Sequence, residues 1–293
     1  MAGAASASEP QPAARPVLLG SYNIHFGVGQ DGAHDLARIA ATLAAADIAC
    51  LQEVTQGWAP LGHADQALAL ARRLGRHHVF GAGLDLDGDE VGADGRIRHR
   101  RRTFGNMVLS RWPIRSSRTL LLPKRSEPSL FDLQRSVTEA VIEAPGEALR
   151  VYSVHLSHVS SRQRAPQIEA LLAWLADAPR HGAPWDHEHP TLRQLGVGTV
   201  SMPASAIVMG DFNACPDDPG YRRMIEAALR DAWTLAGNEP MAGRTFMDGA
   251  QPGRRIDHCF LTPDLGARVR RAWIDRGAAG SDHYPLFVEL AEA

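Results

Sequence analysis

Apolar residues recur along this chain in two rhythms, one of period two and one close to 3.6. VLLGSYNIHF, beginning at Val17, is a strand-like run, and Leu36, Ile39, Ala40 and Leu43 then return at helical spacing. IACLQEV reads as a short buried strand. Leu68, Ala71 and Leu74 mark a second helix with Gly75 just past its end, where a left-handed cap favours a residue without Cβ. From about His77 the punctuation changes to hairpins: HHVFGAG, NMVLSR, SVTEAVIEA and LRVYSVHLS, with Pro145-Gly146 turning the chain between the last two. Ile168, Leu171, Leu172 and Leu175 give a helix, AIVMGDFN a strand, residues 221–229 a helix, and IDHCFLT and YPLFVEL two final strands. Helices and strands interleave without a long linker, so residues 17–293 are expected to form one domain. Its expected fold is α/β (α+β), a four-layered α/β/β/α sandwich with two mixed, mainly antiparallel sheets face to face. Residues 1–16, rich in Ala, Ser and Pro and lacking periodicity, are expected to be a mobile or disordered lead-in. Two stretches, 84–102 and 180–203, are longer than a compact domain needs and are expected to be functional rims or disordered insertions.

Composition narrows the class. With 44% apolar and 22% charged residues the chain is an ordinary globular one, and a formal charge of -2 excludes coating nucleic acid by a bulk positive field while leaving room for a local basic patch. Cys50, Cys215 and Cys259 make an odd set without C-x-x-C spacing, which points to reduced thiols and away from a disulfide framework or thiolate zinc site. No run approaches the length of a membrane span, and the first residues lack the basic and apolar regions of a signal peptide. A cytoplasmic location is the resulting expectation.

Candidate chemistry sits at strand ends. Asn23 follows SY, Glu53 ends LQE, His155 closes VYSVH, and Asp211 and Asn213 end VMGDFN. Polar groups that follow apolar strand residues emerge at one sheet edge, so residues distant in sequence can converge on one cleft. Asp257 in RRIDHCF and the triplet Ser281-Asp282-His283 extend the set. Singly, an Asp or Asn ending a strand is a turn former and a strand histidine a satisfied core residue. Together they are the ingredients of metal-assisted phosphoryl transfer: hard oxygen ligands for Mg²⁺, with amide and imidazole donors to neutralise phosphate oxygens.

In that order and near that spacing, YNIHFG, DIACLQEV, GNMVLSRWPI, VHLSH, GDFNACP, RIDHCF and SDHYPLFVEL resemble the endonuclease/exonuclease/phosphatase superfamily over about residues 18–290. That superfamily includes pancreatic-type DNases, abasic-site endonucleases, inositol polyphosphate 5-phosphatases and neutral sphingomyelinases. The resemblance implies a Mg²⁺ (or Mn²⁺) cofactor with Glu53 as main ligand, grouped with Asn23 and Asp282. It implies Asp211 as water-orienting general base and Asn213 as a phosphate or metal contact. His283 would donate to the scissile phosphate while Asp257 orients it, and His155 would contact the phosphate or protonate the leaving oxygen. Asn106 occupies a position that supports the cleft. One position departs: abasic-site endonucleases carry an acidic residue two places after the Asn matching Asn23, where this chain has His25. That weakens a DNA-repair reading, and NIHFG looks more like a bacterial, sphingomyelinase-like branch.

The implied function is hydrolysis of a phosphodiester or phosphomonoester by in-line attack of an activated water. The partner would be a phosphate-ester substrate, whether nucleic acid, lipid headgroup or sugar phosphate, and no obligate protein partner is evident. GRIRHRRRTFGN brings Arg96, Arg98, Arg100, Arg101 and Arg102 close to Asn106. Arg100 and Arg102 could grip further phosphates, as in a nuclease, or belong to a solvated basic loop; Lys124, Arg125 and Arg135 could extend the same rim. HGAPWDHEHP has the histidines but not the spacing of a zinc site, and is expected to flank the cleft. A catalytically silent binding module is the remaining alternative.

Overall fold

A computed structural model describes residues 15–126, 129–185, 188–196, 198–248 and 251–292. All but two positions of the expected lead-in lie outside the described residues. The strands are β1 (Val17–Asn23), β2 (Ile48–Gln56), β3 (His77–Asp87), β4 (Glu90–Val91), β5 (Ile97–Arg98), β6 (Arg101–Ser110), β7 (Ile114–Leu121) and β8 (Ser136–Ala144). They continue as β9 (Glu147–His155), β10 (Ala206–Asp211), β11 (Arg230–Asp231), β12 (Phe246–Asp248), β13 (Gln251–Arg254), β14 (Asp257–Leu261), β15 (Val269–Ile274) and β16 (Leu286–Leu290). Two six-stranded sheets result, in the orders β15-β16-β1-β2-β6-β3 and β11-β14-β10-β9-β8-β7. Each contains one parallel pair, β1 with β2 and β9 with β10, among antiparallel neighbours. The expected mixed, mainly antiparallel sheets are present.

Period-two alternation explains the layers. Leu19, Ile48, Cys50 and Val108 of the first sheet pack against Ala140, Val151, Ile207, Met209 and Cys259 of the second, forming the central core. The opposite face of the first sheet, with Tyr22, Leu51 and Met107, is covered by helices α1 (Leu36–Leu43) and α2 (Gln66–Leu74) through Ile39, Leu43 and Leu70. Helices α3 (Ser161–His181) and α5 (Pro219–Glu226), with the short α4 (Pro190–Gln194) between them in sequence, lie on the other side. There α3 and α5 apply Ile168, Leu171 and Met224 to Tyr152, Val208 and Phe260. Helix-sheet-sheet-helix is therefore the order, as expected.

Several details differ from the sequence reading. Helix α2 buries Ala67, Leu70 and Ala71; of the face read at Leu68, Ala71 and Leu74, Ala71 is buried, Leu74 packs half-buried against the same core and Leu68 lies at its margin, and Gly75 caps the helix in the left-handed region at φ 60°. Strand β7, with its strict alternation of half-buried and exposed residues, and the edge strand β15 were not read as strands. Residues 84–102 are not a loop: β3 and β6 run out as a paired arm to Asp87 and Arg101, tipped by the small ribbon of β4 and β5.

Candidate active site

The inner faces of both sheets change character at one end. Along β1 the inward positions run Leu19, Ser21, Asn23; along β9, Val151, Ser153, His155; along β10, Ile207, Met209, Asp211; along β14, Leu261, Cys259, Asp257. Apolar packing in the middle thus gives way to polar groups where the sheets end. Cross-strand register does the rest, since Asp211 pairs with His155 on one side and Asp257 on the other. Three chemically capable side chains are neighbours because three strands end together.

Glu53 reaches the same place by a different device. In β2 the inward positions are Ile48, Cys50 and Gln52, so regular alternation would send Glu53 outward to the helices. A β-bulge between Leu51 and Val54 inserts one extra residue against β6, with Glu53 at φ 60°. The bulge turns the carboxylate inward, where Asn23 Nδ2 donates to Glu53 Oε1 at 3.2 Å and to Asp211 Oδ2 at 3.1 Å. Asn23 meets the cluster through its NH₂ group, its carbonyl oxygen accepting from the His25 amide.

From the far end of the chain, Ser281 Oγ donates to the Asn23 carbonyl and fixes the segment carrying Asp282 and His283. His283 Nδ1 lies 2.8 Å from Asp257 Oδ2, and its Nε2 lies 3.7 Å from Asp211 Oδ2. Burial alone would drive the His283 pKa down, but the Asp257 carboxylate, aided by Asp211 and Asp282, raises it to about 10. His155 goes the other way. Burial, then the neighbouring Arg135 cation, hold its pKa well below the ordinary value. Arg135 Nη1 donates to His155 Nδ1 at 3.0 Å and Nη2 to His158 Nδ1 at 3.1 Å. Because a guanidinium cannot accept, both imidazoles offer Nδ1 as acceptor and carry hydrogen on Nε2. His155 Nε2 stands 3.4 Å from Asp211 Oδ2 and 4.0 Å from Glu53 Oε1. Burial and then the Asp257 charge push Asp211 up to about 7, and burial raises Glu53 as well.

These groups form the floor of a cavity of about 660 Å³, lined among others by Glu53, Arg135, His155, Asp211, Asn213, Asp282 and His283. Asp282 comes within 3.8 Å of His25 Nδ1. Asn213, at φ 50°, donates its side-chain amide to the Leu156 carbonyl and its backbone N–H to Asp211. Among the described residues, Asp211, Asp257 and His283 have potential ligand atoms within 4.8 Å of one another, and Asp257 Oδ1 is buried without a partner. Four carboxylates, Glu53, Asp211, Asp257 and Asp282, gather around few cations, and such an oxygen-rich donor set fits a hard divalent ion.

Three expected contacts lie elsewhere. Asn106 is buried outside the cavity lining and donates to the Ser136 carbonyl at 2.6 Å, beside Arg135. Arg100 and Arg102 also fall outside the lining. Arg100 is within 3.9 Å of Glu90, and Arg102 donates to the Asp87 carbonyl while covering the Trp58 ring. Arg135, read with the basic rim, is instead 4% exposed on the cavity floor. Among the described residues, the loop after α3 contributes nothing to the cavity lining. It feeds Ala206, the start of β10, where Arg150 ties the carbonyls of Leu175 and Ala204, at the opposite strand end from Asp211. Within HGAPWDHEHP, Asp186 and His187 lie outside the described residues.

The model of the endonuclease/exonuclease/phosphatase family matches residues 20–283. The chain belongs to that family. Solved structures of the endonuclease/exonuclease/phosphatase fold resemble it along nearly its whole length. A protein of this family from Beutenbergia cavernae is 23% identical, with 95% of this chain and 72% of that chain covered at a TM-score of 0.68. A mannosyl-6-phosphatase from Bacteroides thetaiotaomicron is 19% identical over 94% of this chain and 99% of its own, at 0.63. A 3' phosphatase from Neisseria, solved with a product DNA hairpin, is 17% identical over 94% and 99%, at 0.59. Among curated proteins no relative matches the chain. Among the described residues no helix is long and apolar enough to cross a membrane.

Proposed function

We propose that this protein is a divalent-metal-dependent phosphoesterase that hydrolyses a P–O bond by attack of water. The observation that carries the reading is the convergence of Glu53, His155, Asp211, Asp282 and His283 from four widely separated segments and both sheets onto one cavity floor, with Asp257 from a fifth segment bonded behind His283. Glu53 and Asp282 would hold Mg²⁺ or Mn²⁺, with Asn23 orienting the Glu53 and Asp211 carboxylates. The ion supplies charge neutralisation to the phosphate that side chains alone cannot match.

The remaining roles follow from hydrogen-bonding state. Asp211, buried and flanked by donors, accepts a proton from the attacking water as its oxygen bonds phosphorus. His155, neutral with hydrogen on Nε2, donates to a phosphoryl oxygen, because Arg135 occupies its other nitrogen. His283, held as imidazolium by Asp257, places a second N–H in the same space and is the group positioned to protonate the departing oxygen. Asn213 secures the turn after Asp211 and donates to the Leu156 carbonyl.

Turnover of bis-p-nitrophenyl phosphate with Mg²⁺ or Mn²⁺ tests the reading. Asp211→Asn should fold normally by circular dichroism and lose at least about a hundredfold in kcat. Wild-type turnover in that variant, or turnover indifferent to chelator, would overturn it.

A further inference from the structure

Above its polar floor the cavity is walled by apolar side chains that the hydrolytic chemistry does not use. Phe26, Trp58, Leu84 and Phe104 come from the first sheet and its loops, and Phe131 and Leu133 from the segment between β7 and β8. A phosphoryl group needs only the floor. The volume of about 660 Å³ is that of a site enclosing a whole small ligand, so most of it is open to what the phosphate carries. Apolar surface also continues outward. Leu86 follows Leu84 on the same face of β3 and is 42% exposed, and Val91 and Ile97, 74% and 56% exposed, pair across the ribbon at the tip of the arm.

Two features decide the kind of occupant. The rings are tilted: Phe26 and Phe104 lie 5.9 Å apart at 48°, and Phe131 meets His158 at 5.8 Å and 48°. Rings that meet at such angles present an irregular apolar wall, which a flexible chain fits. Three cations of the first sheet's arm and the cavity floor are also engaged. Arg101 pairs with Asp85 at 2.7 Å, Arg102 bonds a backbone carbonyl, and Arg135 is committed to two histidines. A polyanion would call for a track of available cations along its backbone.

We infer that the substrate is a phosphate ester bearing an alkyl chain, seated on the wall formed by Phe26, Trp58, Leu84, Phe104, Phe131 and Leu133. The inference rests on the phosphoesterase reading for its phosphate and on the wall for its chain. Each methylene moved from water onto apolar surface favours binding, so chain length is the variable that reads it.

The test uses p-nitrophenyl phosphodiesters whose second ester group is methyl, hexyl or phenyl, assayed with Mg²⁺, alongside calorimetric binding of methyl- and hexylphosphonate. The hexyl ester should exceed the methyl ester in kcat/KM by at least about tenfold, and hexylphosphonate should bind tighter by a similar factor. Phe131→Ser and Leu84→Ser should each cut both ratios to below about threefold. Phe131 is 60% exposed, so its replacement leaves the core intact. Equal methyl and hexyl values in both measurements would overturn the inference. So would preference for the phenyl ester, which points to a ring, or faster, steeply salt-dependent cleavage of single-stranded DNA, which points to a polyanion. If no ester is turned over, bis-p-nitrophenyl phosphate included, the phosphoesterase reading fails, while the phosphonate ratio still reports on the wall.

Discussion

Arg135 acts through two imidazoles at once. A guanidinium is a planar fork, so Nη1 and Nη2 can reach the Nδ1 atoms of His155 and His158 together. A lysine at this position keeps the charge but is a point donor. Arg135→Lys should fold and yet lower kcat by about ten- to a hundredfold, because His155 is then free to present the wrong nitrogen; steady-state kinetics with a thermal melt would separate that from unfolding. His258 lies deeper, with Nδ1 accepting from Arg255, itself paired to Asp231, and Nε2 facing the Ala214 carbonyl. Burial, then the Arg255 charge, lower its pKa to about 4, so only the neutral ring suits the fold. The unfolded chain binds a proton near pH 6.5 that the folded one refuses until about pH 4. Stability from this residue is therefore present above pH 6.5 and is lost as pH falls through that window. The loss should reach on the order of 3 kcal/mol. Melting temperatures between pH 7.5 and 4.5 should fall more steeply for wild type than for His258→Gln.

Among the elements, the parallel pair β9 and β10 matters most, since it sets Asp211 beside His155. Gly210 permits that approach. At φ +150° its missing Cβ would sit 1.9 Å from the Val154 carbonyl oxygen, a backbone atom that cannot step aside. Gly210→Ala should cost about 3 kcal/mol or more, and any folded fraction should lose activity because the two strand ends are pried apart; chemical denaturation would measure the first part. Strand-end chemistry was legible in sequence because polar residues at fixed parity interrupt apolar runs, as at Asn23, His155, Asp211 and Asp257. Glu53 was read as one more strand-end group and given its ligand role by resemblance, but β2 runs on past it and its inward aim depends on a bulge that ordinary alternation contradicts. Arg135 was misread with its basic neighbours, since nothing local to QRS announces a buried cation. The 180–203 loop was assigned to the wrong end because it precedes its strand, whereas site residues follow theirs.

For the molecule as a whole, layering was readable from two periodicities, while the edge strands β7 and β15 escaped because polar residues break their runs. On the proposed reading, a carboxylate-rich floor would also couple stability to a divalent ion. Raising Mg²⁺ to about a hundred times its Kd should stabilise the fold by about 2.7 kcal/mol, seen as a rise in melting temperature. Glu53→Gln should abolish most of that rise. The first sheet has one further property: its strand β1 lies between β2 and β16. During synthesis, Val17–Asn23 emerges long before Leu286–Leu290, so one flank of the nascent sheet stays open for some 260 residues of elongation. An unpaired edge of that kind recruits other strands. A ribosome stalled before residue 282 would therefore hold a chain prone to aggregate and lacking Asp282 and His283, two residues of the proposed site.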